Sequence, residues 1–280
     1  MRGPAVGLTL VLGGMPGVLG AQAGEQAEFI SAARTASERY RDRAVAVADG
    51  YRPIGPDFPS MGEHWLSVPL VVRGEIDPAH PQILEYVTVD GLPVLAGVAY
   101  TQLTRGGPLD TSLPVPASAW HYHQGSVDEE SFILSHARGA AEPGPGTGPR
   151  VAVLHVWLGV ENPAGLFASD NWALPWYRLG LPPPPRAERP SASDLAAALA
   201  AGGDAYFLTL LRLRYDLEPD RANRVGDLLA GHGRALRAIL QHRASARPSD
   251  TELASRWSAV EADLRTVCAR CELWQGKNHP

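Results

Sequence analysis

Cysteine is scarce, at two residues in 280, which rules out a scaffold built mainly on disulfides. A basic excess is missing as well. Formal net charge is −5, so no general positive field recommends nucleic acid as a partner. Beyond the extreme N-terminus no run is apolar enough to cross a bilayer, and no integral membrane segment is expected after signal cleavage. Several catalytic signatures are absent: there is no G-x-S-x-G turn, no P-loop, no G-x-G-x-x-G following a strand and no H-E-x-x-H. Carboxylate pairs such as Glu129-Glu130 are poor acid–base partners, because adjacent strand residues face opposite ways. The cysteines have no neighbouring histidine arranged for nucleophilic catalysis, only the distant His279.

The N-terminus reads as a secretory signal over residues 1–23. Arg2 supplies a positive charge, Leu8 to Leu12 an apolar centre, and Ala21-Gln22-Ala23 an A-x-A cleavage site. A short apolar core strand is the alternative. The mature chain is expected to begin near Gly24, in the periplasm or secreted. There the single C-x-x-C, Cys268 and Cys271, reads most simply as a local disulfide. A metal site using His279, or inert thiols, are the other readings.

Helical spacing of Phe29, Ile30, Ala33, Ala36, Tyr40 and Ala44 predicts a helix from Glu25 to about Ala48. Pro53, Pro56 and Pro59 then predict an irregular stretch. From Trp65 the texture changes to short strands: 65–72, 83–89, 94–100, 119–123, 132–135 and 151–160. Turn clusters separate them, and Asp90-Gly91 between two apolar runs is a hairpin signal. The segment from Asn162-Pro163 to Trp176 is an aromatic-rich loop, either covering a site or packing on the core as an Ω-loop.

Leu181 to Pro190 is a Pro-rich linker, and everything after it reads as helix. Ser193-Asp194 can cap a helix through Ala201, Asp204–Tyr215 forms another, and Pro219 opens a third whose Val225, Leu228, Leu229, Leu236, Ile239 and Leu240 share a face. The last begins at Ser249-x-x-Glu252 and carries an apolar stripe of Leu253, Trp257, Val260, Leu264, Val267, Cys271 and Trp274. Such a stripe wants a helical partner, and a homodimer through this tail is one way to supply it. The fold class expected is therefore α+β: a β-rich domain over 24–180 (barrel, sandwich or α+β sheet) with an N-terminal helix, followed by a small helical bundle over 191–280.

Chemistry points to the nine histidines. In Trp120-His121-Tyr122-His123 the i and i+2 imidazoles share one face of a strand. His155, in an apolar alternating segment, can join them from a neighbouring strand, and His64 in Gly62-Glu63-His64-Trp65 is a fourth candidate. Glu85 interrupts an apolar strand and is a possible oxygen ligand, although an exposed strand residue reads the same way. Histidine-rich ligation suits a divalent transition metal, Zn, Cu, Fe or Ni. His80 reads as an exposed turn histidine, and His232 as a satisfied core histidine. An alternative without metal is a module binding a small molecule or carbohydrate in a groove lined by Trp65, Trp120, Trp157, Trp172 and Trp176.

Three resemblances accompany this reading. The pair His121-x-His123 with Glu129 and His136 resembles the ligand order of a cupin, without its Gly and Pro landmarks. Leu217-Glu218-Pro219-Asp220 resembles a helix start in periplasmic Spy-like proteins, on four residues of common cap chemistry. Gly62-x-His64-Trp65, Pro81-x-Ile83-Leu84-x-Tyr86, Leu95-x-Gly97-Val98-x-Tyr100, His155-x-Trp157 and Asn162-Pro163-x-Gly165-x-Phe167 resemble a group of exported bacterial proteins of unassigned function. That last resemblance covers roughly residues 40–176 and implies a shared β-rich domain and histidine cluster, with no activity attached.

Overall fold

The structure, a computed structural model, describes residues 16–104, 113–124, 150–185, 190–242 and 248–274. The expected strand 132–135, the loop 139–149 and the candidate residues Glu129, His136 and His279 lie outside them.

The fold is α+β, a curled antiparallel sheet of six strands with a helical C-terminal region. The strands are β1 (Arg52–Phe58), β2 (Gly62–Leu66), β3 (Ile83–Val89), β4 (Leu92–Thr104), β5 (Trp120–Gln124) and β6 (Arg150–Val156), in the order β1-β2-β3-β4-β6-β5. Asp90 and Gly91 both take positive φ, 50° and 78°, as a two-residue hairpin turn between β3 and β4 requires.

Two segments form a different kind of element from the one expected. The proline-bearing stretch forms β1 instead of staying irregular. It lies at the edge of the sheet, where Pro53 and Pro56 can lack an N–H without breaking a central ladder. The expected strand 65–72 ends at Leu66, and Val68–Arg73 is a short helix (α3). Pro69 sits in its first turn, where a missing N–H costs nothing, and Gly74 closes it at φ 74°.

The predicted N-terminal helix is longer at its start and broken near its end. It comprises α1 (Pro16–Ser37), a 3₁₀ turn over Glu38–Arg41, and α2 (Arg43–Ala48) capped by the Asp42 side chain. Phe29 and Ala33 of α1, with Tyr40 and Tyr51, pack on one face of the sheet through Leu84, Tyr86, Val98, Tyr100, Leu154 and Val156.

The other face meets the helices. These are α4 (Leu174–Arg178), α5 (Ala192–Ala198), α6 (Asp204–Tyr215), α7 (Pro219–His242) and α8 (Asp250–Val267). The cap of α5 is Ser191, two residues before the expected Ser193, in a full capping box with Asp194. A π turn at Leu199–Gly203, with Gly202 at φ 100°, separates α5 from α6. One buried cluster runs from Phe58, Val87, Ala96 and Trp157 on the sheet side to Leu195, Phe207, Leu229, Trp257 and Leu264 on the helices. Residues on both sides of the Pro-rich stretch thus contribute to one core.

The apolar stripe of α8 finds partners within the chain, since Leu253, Trp257, Val260 and Leu264 are buried and α8 packs on α5 and α7. The helix stops at Val267, short of the expected extent. Beyond it Cys268 and Cys271 are disulfide-bonded and buried in the same core.

Candidate metal centre

Strand pairing decides which side chains share a face, because directly opposed residues and residues two apart point the same way. His64 on β2 opposes Glu85 on β3, and Glu85 opposes Gly97 on β4. Two residues on, Ala99 opposes His155 on β6, and Val153 opposes His121 on β5. His64, Glu85, Gly97, Ala99, His155 and His121 therefore all line one face of the sheet.

Three of them converge. His64, Glu85 and His155 each offer a ligand atom, and these atoms lie within 4.8 Å of one another. Glu85 Oε1 contacts His155 Nδ1 directly and lies 3.7 Å from His64 Nε2. The group is sealed from solvent, with side-chain exposures of 2% for His64, 0% for Glu85 and 1% for His155. A carboxylate so buried is costly unless it is paired or bound to a metal. Among the described residues, Glu85 Oε2 and His155 Nε2 have no hydrogen-bond partner. An orphaned buried polar atom costs about 1–3 kcal/mol, so the arrangement is under-satisfied as a purely protein network. Two imidazole nitrogens, a carboxylate and no sulfur form a donor set that a divalent transition metal fits.

The middle strand makes this convergence possible. Neighbouring strands are about 4.8 Å apart, so β3 and β6, with β4 between them, stand about 10 Å apart. Glu85 and His155 meet only because the floor between them carries almost no side chain. A Cβ built on Gly97 would lie 2.7 Å from Glu85 Oε2 and 2.9 Å from the Val156 carbonyl. Glycine inside a strand is the sequence mark of such a close approach, and it is the signal that a search for ligand types passes over.

The remaining walls are aromatic. Phe58 meets the His64 ring edge-on at 5.3 Å and Tyr206 of α6 at 5.4 Å, linking the centre to the helices. Trp157 and His121 lie nearly parallel to the His155 ring, at 5.9 Å and 4.9 Å between centroids.

Of the predicted ligands, His64 and His155 converge, and Glu85 joins them as a fully buried residue, not an exposed strand position. His121 is on the right face but stacks flat on His155 and stands apart from the converging atoms. His123 is in β5 opposite Val151, and its side chain lies outside the described residues. His80 is exposed and bonded to Asp77, as expected of a turn histidine. His232 is not a core residue: it is 26% exposed and pairs with Asp263 at 3.0 Å.

The tryptophan-groove alternative meets a different obstacle. Trp120, Trp157, Trp172 and Trp176 are all buried in the two main cores, which leaves only Trp65 partly exposed among the five. The loop 162–173 is pinned by its own bonds, from Trp157 N–H to the Leu166 carbonyl, Asn162 Nδ2 to the Asp170 carbonyl, and Ser60 Oγ to Asp170 Oδ1 at 2.7 Å. It is a packed Ω-loop against the site's outer wall. Comparison of the chain with models of protein families, with curated proteins and with solved structures finds no match.

Proposed function

We propose that the sheet holds one divalent transition metal on His64, Glu85 and His155, and that the protein is an exported metal-binding protein. The observation that carries the metal reading is the convergence of three buried ligand atoms within 4.8 Å. Three protein ligands are one short of the closed four-ligand shell of a structural zinc site. Within this reading Glu85 supplies the negative charge that offsets the cation, and the two imidazoles supply neutral nitrogen donors. The apolar enclosure by Phe58 and Trp157 strengthens each of these interactions by excluding water.

Export draws support from the disulfide. The Cys268–Cys271 bond suits an oxidising compartment. Cleavage near Gly24 would keep the part of α1 that carries buried Phe29 and Ala33. The mature chain should then begin near Gly24, which N-terminal sequencing of the exported protein checks.

The metal reading is tested by elemental analysis of protein loaded with Zn²⁺ and dialysed. The wild type should retain about one equivalent, and His64→Ala, Glu85→Gln and His155→Ala should each lose most of it, since ligand identity and count set the affinity. Metal content far below one equivalent in the wild type, unchanged in the three variants, would mean that Glu85 and His155 form a metal-free buried pair.

A further inference from the structure

We propose that His121 is not a metal ligand but a positioning residue: with Trp157 it clamps the His155 ring from both faces and fixes the direction of its nitrogens. The inference rests on the metal reading above and concerns how the site is held.

An imidazole nitrogen coordinates through a lone pair that lies in the ring plane. Two imidazoles can bind one ion only if their planes meet at it. The rings of His64 and His155 permit this, being inclined at 83° with centroids 6.0 Å apart and ligand atoms within 4.8 Å of each other. Those of His121 and His155 do not. They are stacked, 11° from parallel and 4.9 Å between centroids, so an ion in the plane of His155 lies off the plane of His121. His121 opposes Val153, two residues before His155, whereas Trp157 follows His155 by two. The Trp157 ring is 8° from parallel to His155 at 5.9 Å, and its own indole is anchored by donation to the Ala168 carbonyl at 2.7 Å.

His155 is thus the middle of a three-ring stack, with one outer ring on the neighbouring strand β5 and the other just past the end of its own strand. The two rings restrict rotation about its side-chain bonds, and its Nδ1 is directed at Glu85. Both outer rings are buried, His121 at 6% and Trp157 at 3%, and neither is free to swing away. On this account position 121 acts on His155 through a flat ring of similar size.

The test compares His121→Phe with His121→Ala, measuring Zn²⁺ affinity by competition with a chromophoric chelator and checking each fold by circular dichroism. His121→Phe should keep affinity near wild type. His121→Ala should lose about tenfold or more, the lower end of what removing a ligand-orienting partner costs. His121→Leu, which fills the volume without a flat ring, replaces His121→Ala if that variant does not fold, with the same loss expected. Electron paramagnetic resonance of Cu²⁺-loaded protein supplies a second readout: the nitrogen hyperfine pattern of two imidazoles should be the same in wild type and His121→Phe. Loss of affinity in His121→Phe equal to that in His155→Ala, or loss of a nitrogen from the Cu²⁺ spectrum, would make His121 a ligand and overturn the inference. Wild-type affinity in the ring-less variants would overturn it too. Failure of the wild type itself to bind either ion would instead bring down the metal reading, and this inference with it.

Discussion

Gly97 shows how far one missing side chain reaches. It lies under Glu85 on the central strand β4, and a Cβ there would crowd the Oε2 atom at 2.7 Å. Gly97→Ala should displace the Glu85 carboxylate and weaken metal binding, while costing stability through the second close contact, with the Val156 carbonyl. Overpacking of this kind costs about 1–3 kcal/mol. Zn²⁺ titration alongside urea denaturation separates the two effects. A Gly97→Ala protein with wild-type affinity would show that Glu85 tolerates movement. Glu85 itself was legible only as an anomaly, a carboxylate in the apolar run Ile83-Leu84-Glu85-Tyr86-Val87. Its burial follows from opposing His64 on one side and Gly97 on the other, which no local pattern reveals.

At the scale of single elements, the helix starts carry most of the local information, and one of them does more than cap. Asp194 Oδ2 accepts from the Ser191 N–H and hydroxyl at 2.8 and 2.7 Å, and Oδ1 accepts from the Trp176 indole at 2.8 Å. The carboxylate therefore joins the start of α5 to α4 in the core. Asp194→Ala removes the reciprocal half of the capping box and the acceptor of the buried Trp176 indole bond, and should cost about 2–4 kcal/mol. Asp194→Asn retains an acceptor for Trp176 and should cost less. Denaturant melts of the two variants should fall in that order, and equal midpoints would show that the indole bond contributes nothing. The strand β1 is the opposite case. Its prolines argue against a strand until the sheet order places it at an edge.

At the scale of the molecule, the sheet is packed on both faces, by α1 on one and by the helical region on the other. Several tyrosines are buried in these cores, and their chemistry sets an alkaline limit. Tyr51 donates its hydroxyl to the Pro81 carbonyl and Tyr100 to that of Pro78, tying the segment before β3 to the core. Burial raises the pKa of both above the ordinary 10.0. The native state keeps these protons where the unfolded chain releases them, so their contribution is intact below about pH 10 and is lost as pH rises beyond it. Unfolding in base should therefore coincide with the appearance of tyrosinate absorbance from the buried rings. Full ionisation near pH 10 with the fold intact would contradict this.

The sequence by itself determined the kinds of element and much of their placement. Apolar periodicity marked β3, β4, β6 and the helices α6 to α8, and Asp90-Gly91 marked the hairpin, because these signals depend only on residues near one another in the chain. It also nominated His64 and His155 by ligand chemistry. Tertiary structure alone decided the rest. The choice of Glu85 over His121 as the third converging group depends on strand order and register, which bring residues 64, 85 and 155 to one face although they are far apart in sequence. The union of sheet and helices in one core was hidden as well. A proline-rich stretch looks the same whether the parts it joins stay separate or pack together, and only the burial of Phe58, Trp157 and Trp257 in a common cluster tells which.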